Sequence, residues 1–206
     1  ELITRTKTCM PDAMADEQAM DFLKKCMEEK DSAGGVIECV IRGVPAGIGD
    51  PVFDKLDARI AQALMSIGAV KAVEIGDGVH AALSTGSMNN DQFYMEDGEV
   101  KKCTNHAGGI LGGISDGSPI ICRVHVKPTP SIFREQKTVD ESGNERTLLI
   151  KGRHDPVVVP RAVVVVECMC ALTVLDAMLS NMTSRADSVR AFYNKRKQRL
   201  NDKDEI

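Results

Sequence analysis

SAGGVIECVIRGVPAGIGDPVFDKLDARIAQALMSIGAVKAVEIGDG, residues 32–78, changes its hydrophobic period twice, and those changes decide the fold. From Val36 to Arg42, Ile37, Cys39 and Ile41 alternate with Glu38, Val40 and Arg42, the period-two pattern of a strand with one face inward. Gly43 and the Pro-Ala-Gly-Ile-Gly run from Pro45 end it. Asp50 then offers an N-cap and Pro51 a first helical residue, and Phe53, Leu56, Ile60, Leu64 and Ile67 supply a helical apolar stripe. AVKAVEIGDG, from Ala69, returns to strand. Strand, helix and strand within about 40 residues is the size of a βαβ or split βαβ unit.

Working outward, Pro11 to Lys30 is predicted helical, with Met14, Ala19, Leu23, Cys26 and Met27 near a 3.6-residue period. Residues 79–104 hold no sustained period, so a long mobile loop is expected there. The glycine-rich NHAGGILGGISDGSP of residues 105–119 follows, then a strand from Ile120 to Lys127 and a hairpin around DESGNE. A last helix is expected from near Pro160 to about Leu179; being apolar almost all round, it is placed in the middle of a layered structure. Residues 183–206 read as a charged, solvated tail. The order suggests two related α+β halves in one compact unit spanning residues 1–206, with no period clean enough to prove a duplication.

The bulk numbers exclude several classes of function. Thirty acidic against 26 basic residues give a net charge of −4, so phosphate attraction must be local, and an aromatic content of 3% without Trp argues against a nucleic-acid partner. Seven scattered Cys read as buried thiols in a reducing compartment, and the histidines at 80, 106, 125 and 154 make no metal-ligand spacing, so no metal is expected. With no uncharged apolar run of about 18 residues and no signal-peptide pattern, the expectation is a soluble cytoplasmic protein without a membrane partner. A first residue of Glu rather than Met hints at a processed, truncated or partial chain.

Four stretches could carry chemistry. Alternation along Ile120–Lys127 puts Arg123, His125 and Lys127 on one face, either an anion-attracting surface or a solvated strand protected from aggregation. Gly108-Gly109-Ile110-Leu111-Gly112-Gly113, preceded by Asn105 and His106, lacks the Lys-Ser/Thr of a phosphate loop but permits close backbone approach to a ligand. KPTPS, Lys127 to Ser131, offers an ammonium and two hydroxyls on a stiff backbone. In RHDP, Arg153 could grip a phosphate or carboxylate and Asp155 could relay a proton, or the two could form an ion pair at a helix start; on pattern both readings stay open.

GVPAGIGDPVFDKLDARIAQALMSIGAVKAVEIGDG, NHAGGILGGISDG, KPTPS and GRHDPVVVPRAVVVVECM, in this order, strongly resemble chorismate synthase over about Arg5 to Ser180. The resemblance implies a β-α-β sandwich, helices layered between antiparallel sheets, usually a homotetramer. It implies anti-1,4-elimination of phosphate from 5-enolpyruvylshikimate 3-phosphate to give chorismate in aromatic amino-acid biosynthesis. The reaction needs reduced FMN (FMNH2), thought to donate an electron transiently and recover it as the C6 hydrogen departs, and NADP is associated with the activity. By resemblance, Gly68, Ala69, Asn105, Gly112, Lys127, Pro128, Thr129, Pro130 and Ser131 are flavin contacts, with Gly68 in place of a frequent Asn and Pro130 in place of a common Ser. Arg153 would contact flavin and substrate anions, and Asp155 would sit near the flavin N5 and relay the proton. His154 falls on the signature's variable position, and Cys168 stands where Ala or Ser is usual. The family's N-terminal signatures have no counterpart here, so the expectation is the C-terminal half to two-thirds of the family's chain, without turnover alone. The alternative is a non-catalytic flavin- or anion-binding fragment.

Overall fold

Asp12, whose carboxylate accepts the Ala15 backbone N–H at 2.7 Å, starts helix α1, Ala13–Glu28, and Lys30 ends it by turning to φ 58°. The computed structural model describes residues 3–152 and 154–201, with side chains to residue 195. Strand β1, Gly35–Ile41, carries Ile37 inward as its alternation requires. Helix α2 spans Leu56–Met65 and strand β2 Val70–Ile75. A 3-10 turn at Gly78–Leu83 and the short helix α3, Gly86–Asn89, lead into strands β3, Phe93–Glu96, and β4, Glu99–Lys102. Strands β5, Ile110–Leu111, and β6, Ile114–Ser115, make a tight hairpin before β7, Ile120–Val126. A longer hairpin of β8, Glu135–Val139, and β9, Glu145–Leu149, precedes helices α4, Val159–Met182, and α5, Ala186–Asn201.

The three long strands form one sheet in the order β1-β7-β2, so β7 inserts between the strands that flank α2 and the unit is a split βαβ. The three hairpins are antiparallel, and the architecture is α+β. Strand β7 alternates perfectly, with Ile120, Cys122, Val124 and Val126 buried and the residues between them half-buried.

Residue contacts divide the chain into two compact units where one was expected. The first comprises the chain up to Cys39 with Leu64–Val73 and Arg123–Cys168; Ile37, Leu64, Val70, Val124, Ala162 and Val166 form its core. The second comprises Val40–Ala63, Glu74–Cys122 and the chain from Met169; its core is built on Leu56, Ile60, Ile110, Ile120, Cys170 and Val174. Burying each such aliphatic side chain stabilises by roughly 1.5–3 kcal/mol. Cys122 and Cys170, both buried, bring their sulfurs to 3.8 Å, too far for a disulfide.

Three expectations are corrected. Asp50 does not cap α2: it exchanges both backbone hydrogen bonds with Asp54 (3.1 and 2.8 Å), Val52 sits at φ 77°, and the helix starts only at Leu56. Val52 and Phe53 therefore project into solvent, each 85% exposed, and the apolar stripe loses Phe53. Within residues 79–104 lie the 3-10 turn, α3 and the β3–β4 hairpin, whose first strand is exposed at every residue and so shows no period. Helix α4 is not enclosed: Ala162, Val166, Cys170, Val174 and Ala177 are buried, while Val164, Val165, Leu172, Leu175, Leu179 and Met182 are exposed. By length and composition α4 could cross a membrane. Residues 186–201 of the expected tail form α5, charged and exposed where its side chains are described.

Candidate functional site

In the first unit the exit of β7 is tied to the entrance of β2, where the Lys127 N–H donates to the Ala69 carbonyl at 2.9 Å. Ala69 itself is held at φ 71°, a left-handed conformation that a non-glycine residue adopts only under constraint. Beside it Gly68 faces open space, with nothing within 4 Å of where a Cβ would stand. The Lys127 ammonium is exposed and makes no ion pair with a described residue. Pro128 and the Val126 carbonyl close over Gly34, whose Cβ would lie 2.5 Å from that oxygen, so only glycine fits there.

Ser32 donates its hydroxyl to the Thr129 carbonyl at 2.6 Å, and the next N–H, of Ala33, donates to the Pro156 carbonyl at 2.7 Å. The Ser32–Ala33 pair therefore links KPTPS to the segment carrying Asp155. The Pro130 carbonyl accepts from Gln136 at 2.8 Å, Ser131 is half-buried, and the Thr129 hydroxyl is buried without a hydrogen-bond partner among the described residues.

Asp155 is 38% exposed; its Oδ2 accepts from Arg161 at 2.6 Å, and its Oδ1 has no partner among the described residues. Arg153, singled out by sequence, lies outside the described residues. His154 engages the Ile150 carbonyl through Nε2 at 3.1 Å. Asp155 and His154 line a cavity of about 210 Å³ with Lys30, Asp31, Ser32 and Phe133, the Lys30 ammonium lying 5.1 Å from the Phe133 ring centre. That is smaller than the ~300 Å³ at which ligand pockets for drug-sized molecules begin, so this cavity has room for only part of a cofactor-sized ligand. Gly68, Ala69 and Lys127 are not in its lining. The proposed cationic strip on β7 is partly compensated, because Arg123 pairs with Glu38 at 3.0 Å.

The second unit holds Asn105 and Gly112. The Asn105 amide oxygen accepts from the Gly109 N–H (2.9 Å) and Lys102 (3.1 Å), and its nitrogen donates to the Pro119 carbonyl (2.8 Å), leaving one N–H for a ligand. Gly112 turns the β5–β6 hairpin at φ 61° with open space around it. Gly112→Ala therefore meets backbone strain without a clash and should lower stability by about 1–2 kcal/mol, read from the urea midpoint.

Sequence reasoning missed three groups. Arg161 follows Pro160 on the first turn of α4, six positions after Asp155, and only the turn between them brings the pair together. Ser32, in the small-residue run before β1, has no role assigned from sequence. Lys102 and Asp91 sat in a stretch taken as loop, yet Lys102 contacts Asp91 at 3.2 Å and Asp116 at 2.8 Å, with all three side chains under a tenth exposed.

The family model for chorismate synthase matches residues 1–179. A chorismate synthase of Lachnoclostridium phytofermentans is 58% identical over 196 residues, covering 95% of this chain and 53% of its own length. One from Agathobacter rectalis is 58% identical over 186 residues (90% and 51%), and one from the archaeon Methanocella arvoryzae 55% over 175 (82% and 47%). A crystal structure of chorismate synthase superposes with a TM-score of 0.71 at 30% identity, covering 94% of this chain and 50% of that one. This chain spans about half the length of the relatives it matches, and by the extent of the match it belongs to the chorismate synthase family.

Proposed function

We propose that this chain supplies the flavin-binding and proton-relay wall of a chorismate synthase that eliminates phosphate from 5-enolpyruvylshikimate 3-phosphate in a soluble, cytoplasmic homotetramer. The observation that carries the reading is the strand exit at Lys127–Ser131, with an ammonium that makes no ion pair and a buried Thr129 hydroxyl without a partner among the described residues, and open space over Gly68. Those features fit FMN: an ammonium for its phosphate, a hydroxyl for a ring heteroatom, and a bare backbone for a flat ring. Lys127, Pro128, Thr129, Pro130, Ser131, Gly68 and Ala69 of the first unit would hold it; the resemblance also assigns flavin contacts to Gly112 and Asn105 of the second unit and an anion contact to Arg153, which lies outside the described residues. Held by these residues, reduced FMN would supply transient electron donation to the elimination. Asp155 takes part through Oδ1, while Arg161 holds Oδ2 and fixes the carboxylate's orientation.

Since this chain matches only half of each relative, a second reading is a fragment that binds flavin without turnover. Fluorescence titration of FMN with this chain, paired with a phosphate-release assay, separates the two. The chain alone is expected to bind FMN and release no phosphate; completed by the half its relatives carry, it should release phosphate. Lys127→Ala should weaken FMN binding about 10-fold or more, the worth of a charged hydrogen bond. Absence of FMN binding by both the chain and the completed protein would overturn the proposal.

A further inference from the structure

The short segment Asp31–Gly34 grips the stretch from Val126 to Arg134 at its start, middle and end. Gly34 lies under the start, where a Cβ would stand 2.5 Å from the Val126 carbonyl oxygen and 3.1 Å from Pro128 Cδ. In the middle the Ser32 hydroxyl donates to the Thr129 carbonyl at 2.6 Å. At the end Arg134 donates to one oxygen of Asp31 at 2.8 Å, while the other oxygen accepts the Ser32 N–H at 2.8 Å and so fixes the residue that carries the hydroxyl. Between these contacts the Ala33 N–H donates to the Pro156 carbonyl at 2.7 Å and Ala33 forms a parallel bridge with Val157, so the residues just after Asp155 are held by the same segment.

The stretch needs outside donors because of its own sequence. Pro128 and Pro130 have no N–H, which leaves KPTPS with backbone donors only on Lys127, Thr129 and Ser131, and the Lys127 N–H already donates to the Ala69 carbonyl. Its carbonyls are therefore held from elsewhere: that of Pro130 accepts from Gln136 at 2.8 Å and from the Ile132 N–H at 3.1 Å, and that of Thr129 accepts from Ser32. Holding the Thr129 carbonyl also sets the residue whose buried hydroxyl has no partner among the described residues.

We propose that Ser32 is a positioning residue for FMN: its hydroxyl sets the Thr129 peptide so that Lys127–Ser131 meets the flavin already in shape. Ser32 is not itself a donor to the ligand, because its single hydroxyl proton is committed to the Thr129 carbonyl. Without that hydroxyl the flavin has to order the stretch as it binds, and the ordering cost is subtracted from its affinity. The inference rests on the reading of Lys127–Ser131 as the flavin cradle and adds to it the group that shapes the cradle.

Fluorescence titration of FMN with the completed protein tests it, without turnover as a readout. Ser32→Ala should weaken FMN binding roughly 3- to 10-fold, the range of one neutral hydrogen bond, and Ser32→Thr, which keeps a hydroxyl on the same carbon, should return the affinity to within about twofold of the parent. A loss that was only structural would weaken binding whatever stands at position 129. Positioning predicts otherwise: in a Thr129→Val background, which lacks the hydroxyl being placed, adding Ser32→Ala should weaken binding by less than about twofold, so the two losses do not add. Every variant is titrated at a temperature where circular dichroism shows it folded, so that unfolding does not pass for weak binding. A Ser32→Ala protein with the parent's affinity, a Ser32→Thr protein that stays weak, or losses that add in full would each overturn the role of Ser32 and leave the cradle reading standing. A parent protein that binds no FMN fails the cradle reading itself, and this inference with it.

Discussion

Asp155→Asn, placed in the complete polypeptide, is expected to slow phosphate release from 5-enolpyruvylshikimate 3-phosphate about 100- to 10,000-fold, the usual worth of a positioned proton-transfer group. FMN affinity should stay unchanged. The substitution is nearly isosteric and the amide oxygen can still accept from Arg161, so the 2.6 Å contact and the turn before α4 survive. What disappears is the basicity of the oxygen that has no other partner. Arg161→Met should act more weakly and differently: the carboxylate is still present but loses its fixed orientation, so kcat falls while FMN affinity stays unchanged. Single-turnover phosphate release with pre-bound reduced FMN measures both. Unchanged turnover in Asp155→Asn would remove Asp155 from the chemistry.

The split βαβ frame was legible because each of its parts is decided locally. Ile37 and its neighbours alternate, Leu56, Ile60 and Leu64 repeat at helical spacing, and β7 alternates without a break, so period alone finds them. The start of α2 was misread because Asp50-Pro51 is a strong helix signal in isolation. The competing backbone pair between Asp50 and Asp54 is visible only once the loop closes. The β3–β4 hairpin escaped for a different reason: all of Phe93–Glu96 is exposed, so no buried face imprinted a pattern on the sequence. For α4, an apolar surface all round says that two faces need cover, but not whether both are covered within this chain.

The candidate site was legible at its residues and not in its connections. Lys127, Thr129 and Asp155 stand out by type and by the family's motifs, yet nothing in sequence says that Ser32 and Ala33 join their two segments by hydrogen bonds. Nor does sequence distinguish Asn105 as a ligand contact from Asn105 as a brace. The structure gives three of its hydrogen bonds to the glycine loop, to Lys102 and to Pro119, because a half-buried amide is satisfied wherever partners lie.

Lys102→Met is expected to destabilise the protein by about 3–5 kcal/mol at neutral pH, the cost of stripping one partner from a buried charge pair. Its ammonium bridges Asp91 and Asp116, whose side chains are only 3% and 9% exposed, and also reaches Asn105. Burial alone would raise the pKa of Asp91. That effect is outweighed by the Ala107 N–H, the Thr104 hydroxyl, the His106 N–H and Lys102, which together hold it far below the usual carboxylate range. Asp116 is likewise pushed up by burial but held low by Lys102 first and by Ser118 second. Folded pKa values below the unfolded value of about 3.9 mean that both groups bind fewer protons in the native state, so their contribution is full above that value and is lost as pH falls through the folded values. In Lys102→Met the two carboxylates lose their shared cation, Asp116 most of all, and protonating them relieves the buried negative charge. The gap between variant and parent should therefore narrow from pH 7 to pH 3, as measured by urea unfolding at both. A gap under about 1 kcal/mol at pH 7, the range of an exposed pair, or one that does not change with pH, would show that the cluster does not carry the glycine loop.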